Sequence, residues 1–197
     1  MKKILLASLL PLAFMASAHA DNATKPAANP VHFVAGIGIT AGGDKLATAN
    51  YTDNTSANIN AGSGLQMLGG VDYRVNQDFS LQGTVGYHIH FTPEASNGDA
   101  NFHRVPFELL AYYHANEQWR VGGGVRFVTG AKLSGKGAAS GINTSFKDTT
   151  GLVLEAEYFT SPNLGIKIRG VKEEYKTETG NHKFSGNHIG VFANYYF

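Results

Sequence analysis

Two histidines stand two residues apart at His88 and His90, with His103 a short loop away and His182 and His188 further on. On a strand, i and i+2 share a face, so His88 and His90 are a candidate metal pair, and His103 could join them in a rim histidine cluster. No cysteine or carboxylate falls at ligand spacing beside them, so polar residues lining a wet rim is the favoured reading. A second constellation is nucleophilic: Ser185, His188 and Glu173 are the nearest approach to a hydroxyl, base and acid set. A lipid-modifying enzyme needs that set at the lipid-facing rim, whereas alternation turns His188 inward, and no catalytic residue is assigned. Gly36-Ile37-Gly38 and Gly122-Gly123-Gly124 could be taken for phosphate loops, but both lie in strand patterns with no helix following. Neither is read as a cofactor site, and no cofactor or metal is expected. The remaining chemistry is charge. Asp72, Arg104, Glu108, Arg120, Arg126, Glu155, Glu157, Lys167 and Arg169 fall at alternate positions in otherwise apolar segments.

Those charges need elements to position them, and the alternation names strands. Phe79, Leu81, Gly83, Val85, Tyr87, Ile89 and Phe91 share one face of their segment; Ser80, Gln82, Thr84, Gly86, His88 and His90 share the other. The same two-residue period sets Val105, Phe107, Leu109, Ala111 and Tyr113 against Arg104, Glu108, Tyr112 and His114. Eight such segments are expected, near 31–40, 64–75, 79–91, 102–115, 118–129, 149–160, 164–176 and 184–197, each bounded by Gly, Asn, Asp, Pro or Ser. The connections 76–78, 116–117 and 161–163 are tight. Those at 41–63, 92–101, 130–148 and 177–183 are longer and polar. Short turns at one end and long loops at the other is the asymmetry of a transmembrane barrel.

Pairing across the tight turns can be worked out on paper. Glu157 falls opposite Lys167, Glu155 opposite Arg169, Glu108 opposite Arg126 and His114 opposite Arg120, with Asp72 near Gln82. Opposed side chains on one face of an antiparallel pair sit about 5 Å apart. The charged face therefore suits a small polar interior, and the apolar face suits lipid. Tyr73, Phe79, Tyr113, Trp119, Tyr158, Tyr195 and Phe197 fall near the short-turn end, and Tyr87, Phe91 and Phe127 near the long-loop end. That is the pattern of two interfacial girdles.

Composition agrees. The 24 glycines, 12 Phe and 9 Tyr with only 16% charged residues favour sheet and turn. Met1-Lys2-Lys3, an apolar stretch from Ile4 to Met15, and Ala16-Ser17-Ala18-His19-Ala20 form a signal peptide pattern with cleavage after Ala20. Residues 21–30 are then a short periplasmic lead-in, and 31–197 the barrel. Without Lys2 and Lys3 the 16 basic residues become 14 against 15 acidic ones, so no basic footprint for nucleic acid exists. No segment beyond the leader is apolar and long enough for a membrane helix, so membrane residence must come from strands. There is no cysteine, hence no disulfide.

With the leader, the closing strand ending Tyr195-Tyr196-Phe197, and the runs Arg104–Tyr113 and Trp119–Val125 in view, the chain resembles the small eight-stranded outer-membrane barrels of the OmpA/OmpX-like and opacity-protein type. The terminal aromatic, with Tyr195 two before it, resembles the insertion signal of such proteins. The resemblance implies an all-β, eight-stranded antiparallel up-and-down transmembrane β-barrel in the bacterial outer membrane. Its expected partners are outer-membrane lipid and lipopolysaccharide, the barrel-assembly machinery, and a candidate extracellular ligand at the loops. It implies no biochemical activity. The expected role is a non-enzymatic structural or surface-interaction platform with a packed polar lumen; the alternatives are a narrow small-solute pore or a lipid A or phospholipid-modifying enzyme. The chain stops at the barrel, so a peptidoglycan-binding domain like that of full-length OmpA is not expected.

Overall fold

The computed structural model describes residues 30–50, 56–92 and 98–197. The leader with its cleavage site, and all of the lead-in except Pro30, lie outside them.

Eight strands follow one another in chain order: β1 (Val31–Gly42), β2 (Gly64–Arg74), β3 (Phe79–Phe91), β4 (Ala100–His114), β5 (Trp119–Gly135), β6 (Thr149–Ser161), β7 (Leu164–Lys172) and β8 (His188–Tyr196). Each pairs antiparallel with the next, and β8 returns to β1 with Ala35 opposite Tyr195 and Ala41 opposite Ile189. The sheet is therefore a closed up-and-down barrel with no free edge, the condition for a strand structure to sit in hydrocarbon. The final residue shares in the closure, since the Phe197 amide donates to the Phe33 carbonyl at 2.9 Å.

Two of the tight turns are built the same way. The Asn76 side-chain oxygen accepts from the Asp78 and Phe79 amides at 2.9 and 2.8 Å, and Asn116 accepts from Gln118 and Trp119 at the same two distances. An asparagine that satisfies its own turn's amides fixes the hairpin register, and hence which residues face inward.

Side chains alternate along the strands, with one break in β5 where Thr129 and Gly130 are both exposed at a register shift. Along β8, His188, Gly190, Phe192, Asn194 and Tyr196 are buried while Ile189, Val191, Ala193 and Tyr195 are exposed. On the outer surface Leu154 is 72% exposed, Ile189 70%, Ile39 68% and Phe107 47%. An apolar belt this continuous greatly exceeds the few hundred Å² that water-soluble monomers show. Its short-turn rim carries aromatic pairs between neighbouring strands, Phe79 with Tyr113 at 5.5 Å and Trp119 with Tyr158 at 4.9 Å between ring centres. Inside, space is tight enough to dictate glycine: a Cβ on Gly38 would stand 2.3 Å from the Phe192 ring.

The long-loop end departs from the expected loops. β4 starts at Ala100 and β5 runs to Gly135, past the expected 102 and 129. Within 41–63 a hairpin of Lys45–Asn50 and Ser56–Asn60 forms, and 130–148 carries a short 3-10 turn at Gly137–Ile142. β7 breaks at Glu173, and Glu174–Lys176 pairs instead with Lys183–Ser185. The physical cause is burial. Ile59, Phe102, Val128, Leu133, Phe146 and Tyr175 form an apolar core over the barrel mouth, with Leu46, Ile142 and Phe184 against it. Rings of Phe102, Phe146 and Tyr175 meet edge to face at 5.4 to 6.0 Å. Burying these side chains stabilises the cap by roughly 1.5–3 kcal/mol each, which offsets the ordering of the loop backbone.

Candidate functional site

Inward positions of β2, β4, β5, β6 and β7, with Glu173 just past β7, converge on one feature, a column of buried charge. Among the described residues, five buried carboxylates (Asp72, Glu108, Glu155, Glu157, Glu173) balance five buried cations (Arg104, Arg120, Arg126, Lys167, Arg169). Nine of these form a chain of alternating sign. From the short-turn end, Arg120 holds Asp72 and Glu157, each at 2.7 Å. Glu157 lies 4.0 Å from Lys167, which is 2.8 Å from Glu155. Arg169 joins Glu155 (3.1 Å) to Glu108 (2.8 Å), and Arg126 joins Glu108 to Glu173 (2.9 Å).

Polar neighbours complete the column. Tyr196 donates to Glu157 at 2.9 Å and Asn194 does so at 2.9 Å. Tyr112 donates to Glu155 and accepts from Lys167 at 2.9 Å. Tyr175 donates to Glu173 at 2.7 Å, tying the apolar cap to the top of the column. Arg120 also lies over the Tyr112 ring at 4.1 Å. Each ion taken from water carries a penalty of several kcal/mol, which a partner of opposite sign and added hydrogen bonds offset.

Of the expected register pairs, Glu155 with Arg169, Glu108 with Arg126 and Glu157 with Lys167 lie directly opposite and within 4.0 Å. His114 and Arg120 are opposite in register, yet His114 accepts from Arg74 at 2.9 Å and lies 2.9 Å from Ser80 instead. Several contacts span the lumen: Asp72 to Arg120 joins β2 to β5, and Arg169 to Glu108 joins β7 to β4. Arg104 is a correction. It is fully buried but contacts no carboxylate among the described residues; its guanidinium lies 3.0 Å from His88 Nε2 and 4.7 Å from the Phe102 ring centre. Glu173, Asn194, Tyr112 and Tyr196 were absent from the expected network. All four sit on the inward parity of their strands, which was the available signal.

The histidines do not assemble as a rim cluster. His88 is buried, with Nε2 2.8 Å from Thr40 Oγ1, and its nearest imidazole is His188, 5.5 Å between ring centres. His90 Nδ1 is held by the Asn60 amide at 3.0 Å. His103 has the opposite parity and lies beside Tyr87 on the outer face, so it cannot meet His88. Among the described residues no group of three His, Cys, Asp or Glu is placed to hold a metal. Nor does the hydrolytic set form. His188 Nδ1 lies 2.7 Å from the Gly186 carbonyl and 3.7 Å from Glu173, while Ser185 Oγ accepts from the Asn187 amide at 3.3 Å. Glu173 is committed to Arg126 and Tyr175.

No family model matches the chain, and no curated protein does. Solved structures do. Neisserial surface protein A superposes with a TM-score of 0.52 at 12% identity, covering 86% of this chain and 98% of that one. The attachment invasion locus protein Ail of Yersinia pestis and the outer membrane protein OprG of Pseudomonas aeruginosa each give 0.49 at 15% identity; 85% of this chain is covered in both, with 97% and 96% of theirs. The likeness to Neisserial surface protein A is one of fold. A closed eight-stranded antiparallel barrel of the small outer-membrane type is the architecture of this chain.

Proposed function

We propose that the chain is an integral protein of the bacterial outer membrane that acts without catalysis, as a sealed, rigid barrel presenting a folded cap at the cell surface. The observation that carries this reading is the charge column beneath the apolar cap: it threads the lumen from Asp72 to Glu173 with ion-paired side chains. A conducting pore needs a continuous aqueous path, and here nine charges are paired in series across the bore. A serine-type lipid hydrolase needs a nucleophile, base and acid in register, and the nearest set has its acid and its serine engaged elsewhere.

In this reading residues 1–20 direct export and are removed after Ala20. The assembly machinery reads the terminal aromatics Tyr195 and Phe197, which point into the belt at 47% and 64% exposure. Lipopolysaccharide and phospholipid surround the belt. An extracellular ligand would meet the cap, whose two small sheets are the hairpin Lys45–Asn50 with Ser56–Asn60 and the pair Glu174–Lys176 with Lys183–Ser185.

The test is planar-bilayer recording of the purified barrel, alongside mass spectrometry of lipid A from cells with and without it. Absence of stable conductance steps and an unchanged acyl pattern are expected. Steps that vanish when lumen residues are enlarged would establish the pore instead, and a gained or lost acyl chain would establish the enzyme.

A further inference from the structure

We infer that the outer face of the barrel carries a seat for one phosphate-bearing lipid of the loop-side leaflet, with an acyl chain over Gly170 and the phosphate at Lys172. The inference rests on the membrane reading above and adds a site to it.

The sheet registers place one row of outward residues across five strands: Gly123 on β5, Leu154 on β6, Gly170 on β7, Ile189 on β8 and Ala41 on β1. Small and large alternate along it. Leu154 and Ile189 are the most exposed large apolar residues of the belt, at 72% and 70%, because no side chain stands between them. They are walls, and Gly170 is the floor. The resulting hollow measures about 840 Å³ and adjoins a second of about 600 Å³ further along the same face, which shares Ala41, Leu154, Gly170 and Ile189 with it. Together they run along the strands as a groove.

Packing within the protein does not explain the glycine. A Cβ at Gly170 would meet nothing within 4 Å, and its backbone is not in the left-handed region. Glycine inside a strand weakens it by roughly 0.5–1 kcal/mol relative to alanine, and on a lipid-facing surface a larger apolar residue gives up nothing. The space is left open, shaped for an apolar rod.

The head of the groove supplies the polar half. Two residues beyond Gly170 on the same face of β7 stands Lys172, roughly 7 Å along the strand. It opens onto a cleft of about 580 Å³ at the loop end, lined also by Asp44, Glu174, Lys183 and Ser185; Leu152, Lys172 and Asn187 line both cleft and groove. The other charges there are engaged. Asp44 accepts from the Ser185 amide at 2.7 Å, and Glu174 lies 3.2 Å from Lys183 and 3.8 Å from Lys176. Lys172 is exposed with no carboxylate within 4.0 Å among the described residues, whereas Lys183, the other lysine lining the cleft, pairs with Glu174. A lysine at a membrane surface attracts anionic headgroups by about fivefold.

The test is native mass spectrometry of the barrel released from phosphatidylcholine nanodiscs containing a minority of phosphatidylglycerol. Gly83 on β3, across the barrel, also has nothing within 4 Å of its Cβ and provides the control. Wild type and Gly83→Leu should retain one lipid, enriched in phosphatidylglycerol. Gly170→Leu should lose at least tenfold of the retained lipid of either kind. Lys172→Gln should keep a lipid while the phosphatidylglycerol preference falls about fivefold. Equal retention by Gly170→Leu overturns the seat, and an unchanged preference in Lys172→Gln overturns its phosphate end. A barrel that inserts into nanodiscs yet carries no lipid refutes this site alone; one that fails to insert refutes the membrane reading as well.

Discussion

Arg120→Met tests whether the charge column stabilises the barrel as a set of mutual obligations. The guanidinium is 1% exposed, holds Asp72 and Glu157 at 2.7 Å each, donates to Ser80 at 3.3 Å and to Tyr196, and lies over Tyr112. Methionine keeps most of the apolar stem and removes every donor. The two carboxylates are then left unequally. Glu157 retains Tyr196 and Asn194 at 2.9 Å and Lys167 at 4.0 Å, whereas Asp72 retains only Gln82 at 3.2 Å. Breaking a buried pair from one side destabilises by about 3–5 kcal/mol because it strands a charge, and the stranded charge here is Asp72. Neutralising it as well should restore part of the loss: Arg120→Met/Asp72→Asn should be about 2 kcal/mol more stable than the sum of the two single changes.

Trp119, the one tryptophan of the chain, reports the transition directly. It lies 45% exposed on the outer belt and passes from lipid to water on unfolding. Urea titrations in lipid vesicles, read by its emission, give the free energies of the four proteins. Loss of less than about 1 kcal/mol in Arg120→Met would refute the obligation argument. So would a double variant no better than additive, since Asp72 would then not be the stranded partner.

Three further outcomes follow from the same geometry. Replacing Phe197 by Ala should slow or abolish assembly into outer membranes, seen as loss of the compact, heat-modifiable band in membrane fractions; normal assembly would show that the terminal aromatic carries no address. Gly38→Val should leave little folded barrel on the same gels, because its Cβ would stand 2.3 Å from the Phe192 ring inside a lumen with no room to yield; a stable Gly38→Val barrel would mean that the lumen is loosely filled. Phe146→Ala should loosen the cap by about 3–5 kcal/mol, raising protease cleavage in 136–148 and 174–187 while the barrel band and the absence of conductance persist. Conductance in that variant would place the seal in the cap, not in the charges beneath it.

Strand number, faces and hairpin register were all legible in the chain, because each depends on period two and on short turns. Asn76 and Asn116 fix two hairpins locally, so Glu108 opposite Arg126 could be worked out from residue numbers alone. Contacts across the lumen could not. Whether Asp72 reaches Arg120 depends on how far the closed sheet curls, a property of all eight strands together. Two positions show parity underused. His103 is grouped with His88 by proximity in sequence, though their strand faces differ; Glu173 lies inside the expected strand 164–176 with the parity of Lys167 and Arg169, yet is weighed only as the acid of a hydrolytic set.

The cap shows why polar loops concealed structure. Ile59, Phe146 and Phe184 are each isolated among Asn, Ser, Thr and Lys, and a single apolar residue in a loop gives no period to detect. Their significance lies in the barrel mouth, where Phe102 and Val128 occupy the inward positions two residues beyond Arg104 and Arg126 on their strands. Inward apolar residues at the end of a polar lumen have no lipid to face and no water worth facing, so something must cover them. The loops supply that cover, and Tyr175 joins the two regimes by packing its ring into the apolar cap while its hydroxyl donates to Glu173. A barrel with lipid outside must keep its polar groups within; one that is also closed above must pair them, and nine of the ten buried charges do pair, while Arg104 stands against His88 and the Phe102 ring.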